Sequence, residues 1–157
     1  MSDAQHQPVF RDASRGEVAT IVALLADDPL GQTREGSIQD IDPAYYTAFE
    51  AIARDPNNRL IVADQAGDVV GCMQLTVIPH LTFTGGTRLQ IEGVRVKESH
   101  RGQGIGAAMI EWAVAYGHAQ RCHVVQLTSN RGREDALRFY QELGFEPSHI
   151  GFKRYLS

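Results

Sequence analysis

Only two cysteines, Cys72 and Cys122, occur in the 157 residues. Two thiols make neither a disulfide framework nor a four-thiolate zinc site. Both fall in apparent strands, where a small buried hydrophobe is the expected role. The six histidines (His6, His80, His100, His118, His123 and His149) lack metal-ligand spacing, so no metal is expected. Long apolar runs are lacking too. Residues 19–26, broken by Thr20, are among the longest and are far too short to span a bilayer. Residues 1–8 are polar and acidic, unlike a signal peptide. Nor is there an excess of positive charge. Lys and Arg total 15 against 19 Asp and Glu, for a net charge of −4, which argues against nucleic acid as the main partner. The expectation is a cytoplasmic protein without a membrane, nucleic-acid or metal partner. Repeats, low-complexity segments and a linker that would split the chain are absent as well. One domain over residues 8–157, behind a short tail of residues 1–7, is expected. With 43% apolar and 22% charged residues, the chain has enough to build a packed core.

Taken in order, residues 9–12 suit a first strand. Ser14-Arg15-Gly16-Glu17 fits a capping box. The helix it starts carries Val18, Ile21, Val22 and Leu25 on one face, and Asp27-Asp28-Pro29 stops it. Residues 30–41 read as a loop. Asp42-Pro43 opens a second helix, Pro43 suiting the first helical position, with Tyr45, Phe49 and Ile52 as its apolar stripe. After a turn at residues 55–58, residues 60–63 and 69–78 read as a hairpin joined by residues 65–68. Residues 79–88 are a connection containing Gly85-Gly86. A strand over residues 89–96, a glycine-rich loop and a helix follow. Residues 124–127 read as a buried strand. Residues 134–143 are helical, with Ala136, Phe139, Tyr140 and Leu143 on one face and Gly144 as the C-terminal cap. Residues 145–146 and 150–156 look like closing strands. The hairpins imply antiparallel pairing early in the sheet. The strand–helix–strand unit from 89 to 127 implies a parallel pair. The fold class is therefore α/β (α+β): a mixed sheet with helices on both faces.

The centre of this arrangement is residues 89–112. Leu89, Ile91, Gly93 and Arg95 alternate with Gln90, Glu92, Val94 and Val96, as an extended segment requires. Ile105, Ala108, Met109, Trp112 and Tyr116 then recur at helical spacing. Between them lies Arg101-Gly102-Gln103-Gly104-Ile105-Gly106-Ala107. The first amides of a helix have no intrahelical acceptors, and its dipole favours an anion there. Glycines let the backbone approach that anion closely. A phosphate-bearing ligand is expected. Gly102-x-Gly104-x-x-Ala107 also matches the dinucleotide fingerprint, but that reading needs a carboxylate about 20 residues on. Here the next strand ends Gln126-Leu127-Thr128-Ser129-Asn130, and residues 97–100 separate strand from loop. A phosphate-binding P-loop fails too, because no Gly-Lys-Ser/Thr follows.

Val94-x-Val96-x-x-x-x-Arg101-Gly102-x-Gly104-x-Gly106 resembles the acetyl-CoA-binding motif of the GNAT N-acetyltransferases (Q/R-x-x-G-x-G/A). Asn130, Ala136, Phe139-Tyr140 and Leu143-Gly144-Phe145 resemble the family's second segment. The motif-bearing part covers residues 89–145; the first 88 match by element order alone. The resemblance implies a sheet splayed between the strand at 89–96 and the strand at 124–127, with pantetheine in the gap. It implies pantetheine amides on the backbone of Val94 and Val96 and pyrophosphate on the amides of Arg101, Gly102, Gln103, Gly104, Ile105, Gly106 and Ala107. Asn130 would contact the pantetheine arm. Arg133 reads first as an ordinary solvated arginine at a helix start, with a cofactor phosphate as its alternative partner.

Acetyl transfer to an amine needs a base, a donor at the carbonyl oxygen and an acid for the leaving thiolate. Tyr140 stands where the family commonly has that acid. A phenol ionises near 10 and a thiol near 8.5, close enough for the proton to pass. Glu92 is the base candidate. It is the one carboxylate of the apolar strand, two residues before Val94, and is expected to be buried beside the thioester. Its ordinary alternative is a strand carboxylate paired with Arg88 or Arg95. Neither cysteine has the context of an acyl-enzyme, so transfer in a ternary complex with acetyl-CoA as co-substrate is expected. The acceptor is a primary amine of a small molecule or protein, in a pocket formed by residues 30–41, Tyr45, Tyr46 and residues 79–88; His80 in that last loop reads first as a surface histidine, with lining the pocket as its alternative. Dimers are common in the family, and a homodimer is carried as an expectation. The competing function is a non-catalytic acyl-CoA-binding or sensor module on the same fold.

Overall fold

A computed structural model describes residues 6–27 and 40–156. The chain divides into two compact units, residues 1–126 and 127–157, taken here in turn. The first unit is built on a five-stranded mixed sheet in the order β1-β2-β3-β4-β5. Its strands are β1 (Val9–Asp12), β2 (Asn58–Gln65), β3 (Asp68–Pro79), β4 (Thr87–Val96) and β5 (Val124–Gln126). The first four pair antiparallel; β4 and β5 pair parallel. The helix α3 (Ile105–Ala119) makes the crossover between them.

The capping-box sequence does what its spacing asks. Ser14 donates its N–H to Glu17 Oε1 at 2.8 Å, and a 3-10 turn at Arg15–Glu17 leads into α1 (Val18–Ala26). Asp42 caps α2 (Pro43–Arg54), accepting from the Ala44 N–H at 2.8 Å with Pro43 in the first turn. Tyr45, Phe49 and Ile52 are half-buried along it, as their spacing predicts. The expected loop at 30–41 falls almost entirely outside the described residues.

The two faces of the sheet bury different helices. Ile21 and Leu24 of α1 pack with Val62, Val69 and Cys72 on one face. The 3-10 entry turns the helix so that Leu24 is buried while Leu25 is only partly so. On the other face lie Leu89 and Val125, the atoms nearest to Gly117 of α3, where an added Cβ would come within 3.1 Å of Val125. The buried line of α3 is Ile105, Met109, Ile110, Ala113 and Gly117. The expected stripe through Ala108, Trp112 and Tyr116 is therefore corrected. Those three are half-buried, and Trp112 stacks on Tyr116 at 6.0 Å between centroids. The guanidinium of Arg59 lies 5.4 and 5.0 Å from the two ring centroids, which explains why large aromatics tolerate this flank.

Two further corrections concern strands. β5 is three residues long, and Val124 is 39% exposed, so it is a half-buried strand rather than the buried one expected. In the second unit, α4 (Glu134–Glu142) ends as its sequence requires. Gly144 takes φ 89°, and the Phe145 N–H returns to the Tyr140 carbonyl at 3.0 Å. That bond commits Phe145 to the helix cap. The expected closing strands at 145–146 and 150–156 are not formed. Ile150, Phe152, Tyr155 and Leu156 carry the side chains of a strand, yet all four are exposed. Side-chain pattern makes a segment fit for a ladder; only a hydrogen-bonded partner makes it one.

Candidate active site

β4 and β5 stay paired for three residues, from Arg88 opposite Val124 to Gln90 opposite Gln126. β5 ends at Gln126, so β4 continues beyond Gln90 to Val96 without a β5 partner on that edge.

Along the free stretch of β4 the pleat is interrupted. Cys72 pairs with Arg95 and Gln74 with Glu92, so Gly93 and Val94 together oppose Met73. Gly93 adopts φ 61°, a conformation open to glycine. This bulge shifts the alternation by one. Arg95, not Val94, follows Glu92 on the face that carries Cys72 and Gln74. The expectation that Glu92 and Val94 share one side of a regular pleat is corrected accordingly. Glu92 is also exposed rather than buried, and no ion pair joins it to Arg88 or Arg95. It stands open on the sheet face. The carbonyls of Val94 and Val96 accept from the chain's own arginines, Arg95 Nη1 at 2.8 Å and Arg101 Nε at 3.2 Å. Each oxygen keeps a second lone pair.

After a 3-10 turn at Glu98–His100, the loop delivers the chain to α3. Gly102 and Gly104 take φ 75° and 83°, and a Cβ at either would meet nothing within 4 Å. The first bond of the helix runs from the Ala108 N–H to the Gly104 carbonyl at 3.0 Å. The amides of Gly102, Gln103, Gly104, Ile105, Gly106 and Ala107 are paired with no acceptor among the described residues. A left-handed glycine cap, open space beside it and a run of free N–H groups together make an anion cradle. The Arg101 guanidinium is not aimed wholly at that cradle; its Nη2 lies 3.6 Å from Asp27 Oδ2. A small cleft separates the loop at Gln103–Ile105 from residues 6–8 and Gln65.

The sheet face beside Glu92 holds residues that sequence reasoning missed. Asn58, Thr76, Gln90 and Gln126 stand in direct register across β2, β3, β4 and β5. All four are half-buried. Thr76 Oγ1 donates to Asn58 Oδ1 at 2.6 Å and Gln74 Nε2 to the same oxygen at 3.1 Å. Gln126 Nε2 donates to Gln90 Oε1 at 2.7 Å, and Arg88 Nη1 to Gln126 Oε1 at 3.0 Å. The signal for this row was the polar side of each strand's alternation, but only the register aligns four strands.

The connection at 79–86 is more structured than expected. It holds a turn at Thr82–Gly85 in which Phe83 and Thr84 take φ 53° and 59°. His80, Phe83 and His123 cluster there, with centroids 4.8–6.4 Å apart. Gly86 is required by that packing, since its Cβ would lie 2.6 Å from the His123 ring. Cys72 is buried, its thiol pushed up to about 12 by desolvation, and Sγ donates to the Gly93 carbonyl at 3.6 Å. Burial also raises Cys122. Neither offers a ready thiolate.

In the second unit, Tyr140 is half-buried on α4, with its ring 5.0 Å from Phe139 and 5.9 Å from Phe145. Asn130 forms an Asx turn, its Oδ1 accepting from the Gly132 N–H at 2.9 Å. Arg133 occupies the N-cap of α4.

The sequence profile of the Acetyltransferase (GNAT) family matches residues 19–145. An aminoalkylphosphonate N-acetyltransferase of Salmonella typhimurium is 32% identical over 113 residues, 72% of this chain and 73% of that protein. An L-methionine sulfoximine/L-methionine sulfone acetyltransferase of Pseudomonas paraeruginosa is 27% identical over 88% of this chain and 80% of its own. Among solved structures, a protein of Bacillus halodurans C-125 described as a transcriptional regulator is 43% identical, with a TM-score of 0.92 over 95% of this chain and 99% of its own.

Proposed function

The chain belongs to the GNAT family of acyl-CoA-dependent acyltransferases, and we propose that it moves the acetyl group of acetyl-CoA directly onto the primary amine of a small molecule. The observation that carries this reading is the edge of β4 left free beyond Gln90, leading onto a loop of six amides without acceptors among the described residues. In this reading the pyrophosphate rests on the amides of residues 102–107, since the Arg101 N–H already bonds the Glu98 carbonyl, and pantetheine lies along the free edge of β4. The thioester then lies near the Gly93–Val94 bulge. A bulge turns one backbone amide out of the ladder, and an amide so turned is suited to the carbonyl oxygen as negative charge develops on it. Glu92, open on the adjacent face, takes the ammonium proton directly or through water. Tyr140 returns a proton to the leaving thiolate, and Asn130 contacts the pantetheine arm. No acyl-enzyme forms, since Cys72 is buried and protonated. The two named relatives act on small amine-bearing molecules, which favours an acceptor of that size over a protein.

The test is calorimetric titration with CoA, followed by thiol release from acetyl-CoA across a panel of amines. Binding at micromolar CoA with amine-dependent release is expected; no CoA binding would sink the reading. The likeness to a protein described as a transcriptional regulator favours a second reading, a CoA-responsive module without turnover. That reading requires CoA binding with no amine acetylated.

A further inference from the structure

Arg88 of β4 differs from Arg11 of β1, Arg59 of β2 and the loop residue Arg101. Arg11, Arg59 and Arg101 each pair with a carboxylate. Arg88 pairs with none among the described residues, although it is half-buried. Its Nη1 donates to Gln126 Oε1 at 3.0 Å. Its Nε is buried and has no hydrogen-bond partner. A guanidinium presents its donors in a rigid fork, and the edge formed by Nε and Nη2 matches a carboxylate or phosphonate in bidentate fashion. Gln126 occupies Nη1, which leaves that edge without a protein acceptor at Nε. Burying an N–H without an acceptor carries the full cost of removing it from water. Proteins seldom leave such a donor unpaired without a use for it.

The position fits a substrate rather than the acetyl donor. Arg88 and Glu92 share one face of β4, because Arg88 pairs with Ile78, and Glu92 with Gln74, on the same side of β3. Four residues along a strand separate their Cα atoms by about 13 Å. The side chains shorten that gap, and the hydrogen-bonded pair Gln90 and Gln126, with Thr76 beside Gln90 in register, forms a polar floor there. Arg88 stands eight residues from Val96, roughly 27 Å along the strand, so phosphates on the α3 loop do not reach it.

Resting on the acetyltransferase reading, we propose that the acceptor is a short amine bearing an anionic group. Arg88 holds the carboxylate or phosphonate on its Nε/Nη2 edge, and Glu92 faces the ammonium. The anion enters beside Nη2 and displaces the side chains that shield Nε.

The experiment compares 3-aminopropanoate and 2-aminoethylphosphonate with ethanolamine and 1,3-diaminopropane, using acetyl-CoA and wild-type, Arg88→Gln and Arg88→Lys proteins. The expected result is a kcat/KM at least tenfold higher for the anionic amines in the wild type. In Arg88→Gln, KM for the anionic amines rises at least tenfold with kcat within about twofold, and the preference collapses. Arg88→Lys restores part of it. Equal use of neutral or cationic amines, or an Arg88→Gln loss shared by all four amines, overturns the assignment. Calorimetry of both anionic amines on the CoA-loaded protein separates the two readings. Binding that Arg88→Gln abolishes, with no amine acetylated, overturns the transferase function and supports the anion site. The absence of both binding and turnover of the anionic amines overturns the anion site itself.

Discussion

Replacing Gly104 by alanine separates the backbone cost of the loop from its ligand role. Gly104 sits at φ 83°, and an added Cβ meets nothing within 4 Å. The variant therefore carries no clash, only the left-handed penalty of an L-residue, about 1–2 kcal/mol. Gly85 is a matched control: φ 71°, nothing within 4 Å, and at the opposite end of β4. Urea unfolding should report the same loss for Gly104→Ala and Gly85→Ala. Against a typical stability of about 5–15 kcal/mol, both variants stay folded. CoA affinity should part them. A Cβ at residue 104 points into the open side of the loop and holds the phosphate off the adjacent amides. Losing one charge-assisted hydrogen bond costs about 1.5–3 kcal/mol, which weakens binding about tenfold or more. Calorimetry at one salt concentration reads it directly. Equal CoA affinities for the two alanine variants would refute the placement of the phosphates on this loop, whatever the unfolding curves show.

The other predictions address the chemistry and the fold. Tyr140→Phe should lower kcat about 10²-fold or more while acetyl-CoA affinity changes little; unchanged turnover removes Tyr140 as the acid. Glu92→Gln should flatten the rising, low-pH limb of the kcat/KM profile, and an unaltered profile leaves the base elsewhere. Glu17 is held at about 2, against 4.5 for the free group, chiefly by its bond to Arg11, with help from Ser14. Its contribution is present above pH 4.5 and is lost as pH falls from there toward 2. With Arg11 39% exposed, solvent screening reduces that contribution to about 1–2 kcal/mol. Acid unfolding of Glu17→Gln should lack this step. A thiol reagent at pH 8 should label the native protein at Cys122 alone, with Cys72 reacting only in denaturant; rapid native labelling of both contradicts the burial of Cys72.

Much of the fold was legible because the signals were local. A cap, a proline at the first turn or a Gly144 past a helix end acts within four residues, and each places its element boundary from sequence. The misses have the opposite character. The buried face of α3 was drawn through Trp112 and Tyr116 because large apolar side chains invite burial. The sheet instead accepts small residues, Ala113 and Gly117, where the helix must come close to Leu89 and Val125. The pattern at 150–156 was sound as a strand pattern, but pairing depends on a partner that no local rule supplies.

The candidate site divides along the same line. The loop at 101–107 is contiguous, so its glycines and its place before a helix speak for themselves. Glu92 was found by elimination along one strand, and its surroundings were misjudged because one extra residue at Gly93–Val94 reverses every inference from alternation beyond it. The polar row on the sheet was out of reach for a stronger reason. Asn58, Thr76, Gln90 and Gln126 span 68 positions of sequence, and each taken alone is an ordinary solvent-facing strand residue. Register makes them neighbours, and hydrogen bonds join them in two pairs, Thr76 with Asn58 and Gln126 with Gln90. Satisfaction within the row is what exposes the exception. Once Gln126 has bound one end of Arg88, the remaining edge of that guanidinium is an unmet demand beside this row. An anion is the group that meets it.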